Sequence, residues 1–207
     1  EDYRRVYLQS AQHLAAAFPN AALIFTSSTS VYPQTNGEWV TEESPAEPAR
    51  ATGRILRDTE DFVLSAGGIV ARLAGIYGPG RSALLRKFLA REAAIDPQDR
   101  FLNQVHRDDI ASALFHLAQN APTISGRVFN VSDHHPILQR DAYAWLAAQL
   151  QRPLPPIASA PAERKRGPSN KRVSSRRLQD LGWQPKYPTF DAAMTESILP
   201  NLASCGA

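Results

Sequence analysis

Cysteine is nearly missing from this chain: its 207 residues include one, Cys205, close to the C-terminus. A lone cysteine can form neither an internal disulfide nor a cysteine-based zinc site, which fits a reducing cytosol. Long apolar runs are missing too. No uninterrupted stretch approaches the roughly 18 to 20 residues that span a bilayer, so neither a transmembrane helix nor a membrane partner is expected. The charge is nearly balanced at +3, with 23 Lys and Arg against 20 Asp and Glu. Internal repeats and long low-complexity tracts are lacking, and with 43% hydrophobic residues the composition excludes wholesale disorder. The chain begins at Glu1 rather than methionine, with nothing resembling a signal peptide, and so reads as part of a longer one.

Basic residues cluster in one place, at Arg164, Lys165, Arg166, Lys171, Arg172, Arg176 and Arg177. Without a zinc finger, an RNP-like aromatic pattern or a recognition helix, this stretch reads as a solvated loop leading into a surface helix, and no nucleic-acid partner is expected.

Apolar periodicity alternates between two kinds of segment. Tyr3, Tyr7, Ala11, Leu14 and Phe18 fall at steps of three and four, one face of an amphipathic helix closed by Pro19 and Asn20. Residues 22–26 (ALIFT) form a strand, buried on both sides if it lies inside a parallel sheet. A long irregular loop, 31–48, precedes a helix over about 49–65, and residues 69–73 (IVARL) make the next strand. A Gly-Pro loop, 75–81, leads to a helix capped by Ser82. Later come a helix after Asp108-Asp109, a strand over 127–131, a helix over 136–150 and two short helices near the end. Strands alternating with helices of this length predict an α/β fold with a parallel sheet, and ligands bind beyond the carboxyl ends of such strands. Ser27 to Ser30, Gly75 to Arg81 and Asn130 to Asp133 are delivered to that edge.

Four segments carry a resemblance. Residues 24–32 (IFTSSTSVY), 72–80 (RLAGIYGPG), 103–111 (NQVHRDDIA) and 129–132 (FNVS) occur in the order, and at the spacing, of motifs in the extended short-chain dehydrogenase/reductase superfamily, the NAD(P)-dependent epimerase/dehydratase group. Asn170-Lys171-Arg172-Val173 followed by Gly182-Trp183-Gln184-Pro185 resembles the end of that family's chains. The resemblance implies the C-terminal part of a Rossmann-like, doubly wound parallel sheet with a small C-terminal substrate lobe. Residues 1–80 and 106–135 would form the cofactor domain, and 81–105 and 136–207 the smaller lobe. It also implies an upstream half of roughly 70 to 90 residues with the glycine-rich turn that receives the cofactor pyrophosphate, a turn these residues lack.

The family's chemistry rests on a Ser or Thr that steadies the substrate oxygen, a Tyr that moves the proton, and a Lys four residues later that lowers the Tyr pKa. By the resemblance Ser28 matches the hydroxyl position, whereas the Tyr and Lys positions fall on Thr52 and Leu56. The run from Pro48 to Gly53-Arg54 looks like an atypical subgroup without that pair. Tyr32, on the same loop as Ser28, is the candidate substitute phenol, with packing as its alternative role. The cofactor, NAD or NADP, would meet Ser27, Leu73, Ala74, Gly75, Ile76 and Tyr77. Thr29, Arg81, Asn103 and His106 would face a small-molecule substrate of sugar or nucleotide-sugar type. No metal is expected: Asp108 and Asp109 read as a helix cap, and adjacent His134 and His135 point apart. Arg72 reads as the partner of a carboxylate such as Glu60, and Glu38, Glu42 and Glu43 as solvated loop residues. A cytoplasmic protein is expected, and a homodimer is left open. The rival reading is a catalytically silent NAD(P)-binding or scaffolding protein.

Overall fold

The computed structural model describes residues 2–160 and 169–202. Cys205 and three cations of the basic stretch, Arg164, Lys165 and Arg166, lie outside the described residues. Three parallel strands, β1 (Ile24–Ser28), β3 (Ile69–Leu73) and β7 (Val128–Val131), form one sheet in the order β1-β3-β7. Register places Ser27, Arg72 and Asn130 side by side across it. The central strand β3 opens on the apolar run Ile69 to Ala71, and its first four residues, Arg72 included, are all buried, as a strand covered on both faces requires. The first strand is different. It is an edge strand here with Thr26 exposed, so burial on both sides does not hold for it.

Short strand pairs extend this frame. In the segment expected to be a Gly-Pro loop, β4 (Gly75–Tyr77) runs parallel to β6 (Gln104–His106). The long loop carries β2 (Trp39–Val40), paired in parallel with β9 (Arg172–Val173) from within the basic stretch. β5 (Phe101–Leu102) lies antiparallel to β8 (Ile137–Leu138).

The helices follow their apolar spacing. α3 (Ala51–Ser65) buries Gly53, Leu56, Thr59, Glu60 and Val63, a stripe at steps of three and four. It stops where Gly67 adopts a left-handed φ of 74° and Gly68 N–H reaches back to the Val63 carbonyl. A β-carbon on Gly68 would lie 2.8 Å from the Leu23 carbonyl oxygen and 2.9 Å from that of Val63. Gly68→Ala is therefore expected to cost about 1–3 kcal/mol through forced backbone shifts, read as a lower urea midpoint.

The N-terminal helix is interrupted. α1 (Asp2–Arg4) and α2 (Ser10–Ala17) are joined by a π-helical turn, Arg5–Gln9. The wider turn shifts the register, so Leu8 and Ala11 are buried while Leu14 and Phe18 of the expected stripe are exposed.

Two main apolar cores result. One joins β3, β4, β6 and β7 to α5 (Arg107–Gln119), α6 (Ala121–Ile124) and α8 (Arg176–Asp180), with Phe129, Leu117, Leu178 and Trp183 at its centre. The other joins α4 (Ala83–Leu89), α7 (Gln139–Gln149) and α9 (Phe190–Ala193) through Phe88, Tyr143, Leu146 and Phe190. Each such side chain, fully buried, contributes roughly 1.5–3 kcal/mol. No helix among the described residues is long and apolar enough to cross a membrane.

Candidate functional site

At the carboxyl ends of β1 and β3 lies an open cleft of about 840 Å³. Ser27, Ser28, Thr29, Tyr32, Leu73 to Tyr77, Arg81 and Asn103 all line it. Distant segments meet there because parallel strands deliver their following loops to one rim. Thr52 and Leu56, the positions expected for the missing Tyr and Lys, line it as well. Leu56 is packed with Val31, Tyr32, Val40 and Val173, so an apolar cluster takes the place of an ammonium.

The hydroxyls of this rim differ in what they can do. Ser28 ends β1, and its Oγ accepts the Ser30 N–H at 3.2 Å, capping the short 3₁₀ turn Thr29–Val31. It donates to no acceptor among the described residues, so its proton remains available to the cleft. Ser27 and Thr29 are spent internally, on the Glu60 carboxylate at 2.5 Å and the Leu73 carbonyl at 3.3 Å. The Asn103 amide is spent too: Nδ2 donates to the Lys171 carbonyl at 2.8 Å and Oδ1 accepts from the Val173 N–H at 2.6 Å. Arg81 is the exposed cation of the original set.

Tyr32 does not fill the role of a substitute phenol. It is 1% exposed, accepts from Arg72 Nη1 at 2.8 Å and donates to Asn130 Oδ1 at 2.9 Å. Burial raises its pKa, outweighing the guanidinium of Arg72, which acts to lower it. A phenol so held has no proton to exchange with the cleft at neutral pH. The packing alternative is the one its geometry supports.

Beneath the cleft this phenol belongs to a buried polar row. Glu60 on α3 accepts from Ser27, from Arg57, and from Arg72 Nε and Nη2 at 3.1 and 2.7 Å, the ion pair expected from sequence. Burial lowers the Arg72 pKa, but the Glu60 carboxylate more than offsets this and the net direction is upward. Asn130 Nδ2 carries the row on to the Ser174 carbonyl. Glu42, read as solvated, is tucked in as well: its Oε1 accepts the Asn130 N–H at 2.8 Å, and burial raises its pKa.

His106 is absent from the cleft. It is fully buried, with Nδ1 accepting the Asp108 N–H at 3.2 Å and Nε2 facing Ser197 Oγ at 3.1 Å. The imidazole, and neither Asp108 nor Asp109, is the N-cap of α5. Asp109 instead accepts the backbone N–H groups of Lys186 and Tyr187. A capping Nδ1 must be unprotonated, and burial lowers the His106 pKa accordingly. His106 is therefore structural, and the substrate contact expected of it is withdrawn.

Sequence reasoning missed Lys171. It lines the cleft from the far end of the chain, 4% exposed, with Nζ donating to the Tyr32 carbonyl at 2.8 Å and to Ser169 Oγ at 2.7 Å. Arg172 beside it stacks over Trp39 and Phe101, so residues 171–173 are not a solvated loop, whereas the surface helix expected after them forms as α8 with Arg176 exposed. The "K-R-hydrophobic" run was the signal that could have singled Lys171 out. Among the described residues no cluster of three or more His, Cys, Asp or Glu could hold a metal ion.

Comparison with other proteins agrees with this architecture. No family model matches the chain. It is 34% identical over 190 residues to Protein YeeZ of Escherichia coli (strain K12), covering 88% of this chain. The chain spans 65% of the length of that curated relative. Among solved structures, one from Methylobacillus flagellatus described as an NAD-dependent epimerase/dehydratase shares 28% identity at a TM-score of 0.79, over 98% of this chain and 73% of that one. Human epimerase family protein SDR39U1 with NADPH gives a TM-score of 0.78 at 20% identity, over 98% and 76%, a likeness of fold alone.

Proposed function

We propose, for a chain that belongs to the extended short-chain dehydrogenase/reductase superfamily, that the cleft receives the nicotinamide end of NAD or NADP together with a sugar or nucleotide-sugar type substrate. The observation that supports this most is Ser28, a hydroxyl at the carboxyl end of β1 with its proton uncommitted, facing a cleft shared with Leu73 to Tyr77. These residues fit such a group. β4 leaves the strand frame at Gly75, where a β-carbon would come within 2.9 Å of the Asn103 carbonyl oxygen, so the two walls close tightly behind the segment. When bound, the cofactor supplies hydride transfer. The chain's own contribution is to hold the reacting oxygen by the Ser28 O–H and to exclude water with Leu56, Leu73 and Ile76.

The silent alternative also has a specific support: Thr52 and Leu56 stand where the phenol and ammonium would be, and the Tyr32 phenol is engaged elsewhere. Titrating NADH and NADPH by fluorescence on the intact gene product, then measuring turnover against a panel of nucleotide sugars, separates the readings. Ser28→Ala is expected to lower turnover roughly 10²-fold with nucleotide affinity unchanged, whereas Tyr32→Phe changes turnover little. Binding without turnover favours the silent reading. Failure of both nucleotides to bind removes the proposal.

A further inference from the structure

Lys171 presents a cation at an unusual place. A primary ammonium has three N–H donors. Two of them go to neutral acceptors, the Tyr32 carbonyl and Ser169 Oγ, and the third meets no acceptor among the described residues. No carboxylate among those residues forms an ion pair with it; Glu38 acts only at longer range. Burying an ammonium without a carboxylate is costly, and burial lowers its pKa to about 8. The residue is nonetheless pinned in position from both sides. Asn103 holds its backbone carbonyl and the Val173 N–H, and Gly37 N–H bonds the neighbouring Asn170 carbonyl.

The charged residues that line the cleft share one sign. Arg50, Arg81, Lys87 and Arg100 line the same cleft, and no Asp or Glu does among the described residues. A low-dielectric wall carrying cations of one sign concentrates anions.

We propose that Lys171 is the anion-holding residue of the cleft, pairing its third N–H with an oxyanion of the bound small molecule, a carboxylate or a phosphate. This rests on the reading of the cleft as a ligand site. Asn103 is then a positioning residue, acting on the ligand through the Lys171 backbone. The charged group that acts on the ammonium is Glu38, and the cations Arg50, Arg81, Lys87 and Arg100 stand elsewhere along the same cleft.

The test is calorimetric titration of the full chain with inorganic phosphate and, separately, with citrate, on wild type, Lys171→Met and Lys171→Arg. Wild type is expected to bind at least one of the two, which tells the phosphate and carboxylate sources apart. Lys171→Met should weaken that binding at least about tenfold, since a charge-assisted hydrogen bond is lost. Lys171→Arg should retain it. The affinity of wild type for whichever of the two it binds should also fall as pH rises through about 8, while the arginine variant, always protonated, stays flat. That comparison stands even if the methionine variant does not fold. Equal binding by wild type and Lys171→Met, or identical pH profiles for wild type and Lys171→Arg, overturns the proposal. NADH titration of the same variants separates the failures. Intact nucleotide binding with anion binding indifferent to Lys171 removes only this inference. Loss of both in wild type removes the cleft reading with it.

Discussion

Replacing Arg72 with methionine is expected to cost about 3–5 kcal/mol of stability, the penalty for stripping one partner from a buried ion pair. The guanidinium is 3% exposed and Glu60 is 0% exposed, so the carboxylate left behind has no route to water. Ser27 and Arg57 still reach Glu60, but both contacts from Arg72, through Nε and Nη2, disappear, and the Tyr32 phenol loses its donor as well. Urea unfolding measures the loss. The double variant Glu60→Leu with Arg72→Met is expected to lose less than the sum of the two single changes, because it removes both charges together. Tyr32→Phe, which orphans one amide oxygen and one guanidinium N–H, should cost about 1–3 kcal/mol. Additive losses at residues 60 and 72 would contradict the coupling.

His106→Ala is the second large effect. The change removes a fully buried ring packed 4.2 Å from that of Tyr187, centroid to centroid, and removes the cap of α5. Truncating a large core side chain costs about 3–5 kcal/mol, and a lost cap adds roughly 1 kcal/mol where it is not already included. Ligand binding in the cleft should be unchanged among folded molecules. The histidine also sets a pH dependence. Its folded pKa lies below the ordinary 6.5, so the unfolded chain takes up the proton first as the solution is acidified. Its contribution is fully present above pH 6.5 and fades as pH falls from there toward the folded value. His134, also lowered by burial, acts in the same direction. Urea midpoints compared above and below that pH should show the decline, and His106→Asn should make it shallower.

Much of the frame was legible in the sequence because the three main strands each open on a short apolar run and the long helix α3 carries a buried stripe. Residues 69–73 form the central strand as read, and Ser82 caps its helix by accepting the Leu85 N–H. The Arg72–Glu60 pair could be anticipated, since a cation ending a buried strand needs a carboxylate. The errors have a common cause. A side chain's direction depends on partners far along the chain, which composition does not encode. Tyr32, Asn103 and His106 carry the right chemical groups, yet Asn130, Val173 and Ser197 claim them. Lys171 was concealed for the opposite reason. Six other cations within 14 residues gave the segment the look of a solvated run, whereas the pairing of β9 with β2 and the contacts from Asn103 and Tyr32 hold this one inward.

That pairing has a consequence for biosynthesis. Lys171 and Tyr32 are 139 residues apart, and Gly37 receives the Arg172 guanidinium across 135. Closing loops of this length is slow compared with forming local helices. While the chain emerges from the ribosome, β2 waits without its neighbour as an unpaired edge, beside a loop tip with nothing to fasten it. This wall of the cleft therefore assembles late, and a nascent chain arrested before residue 172 should be open to proteases at the loop over 31–48 even though its central strand and first long helix have already formed.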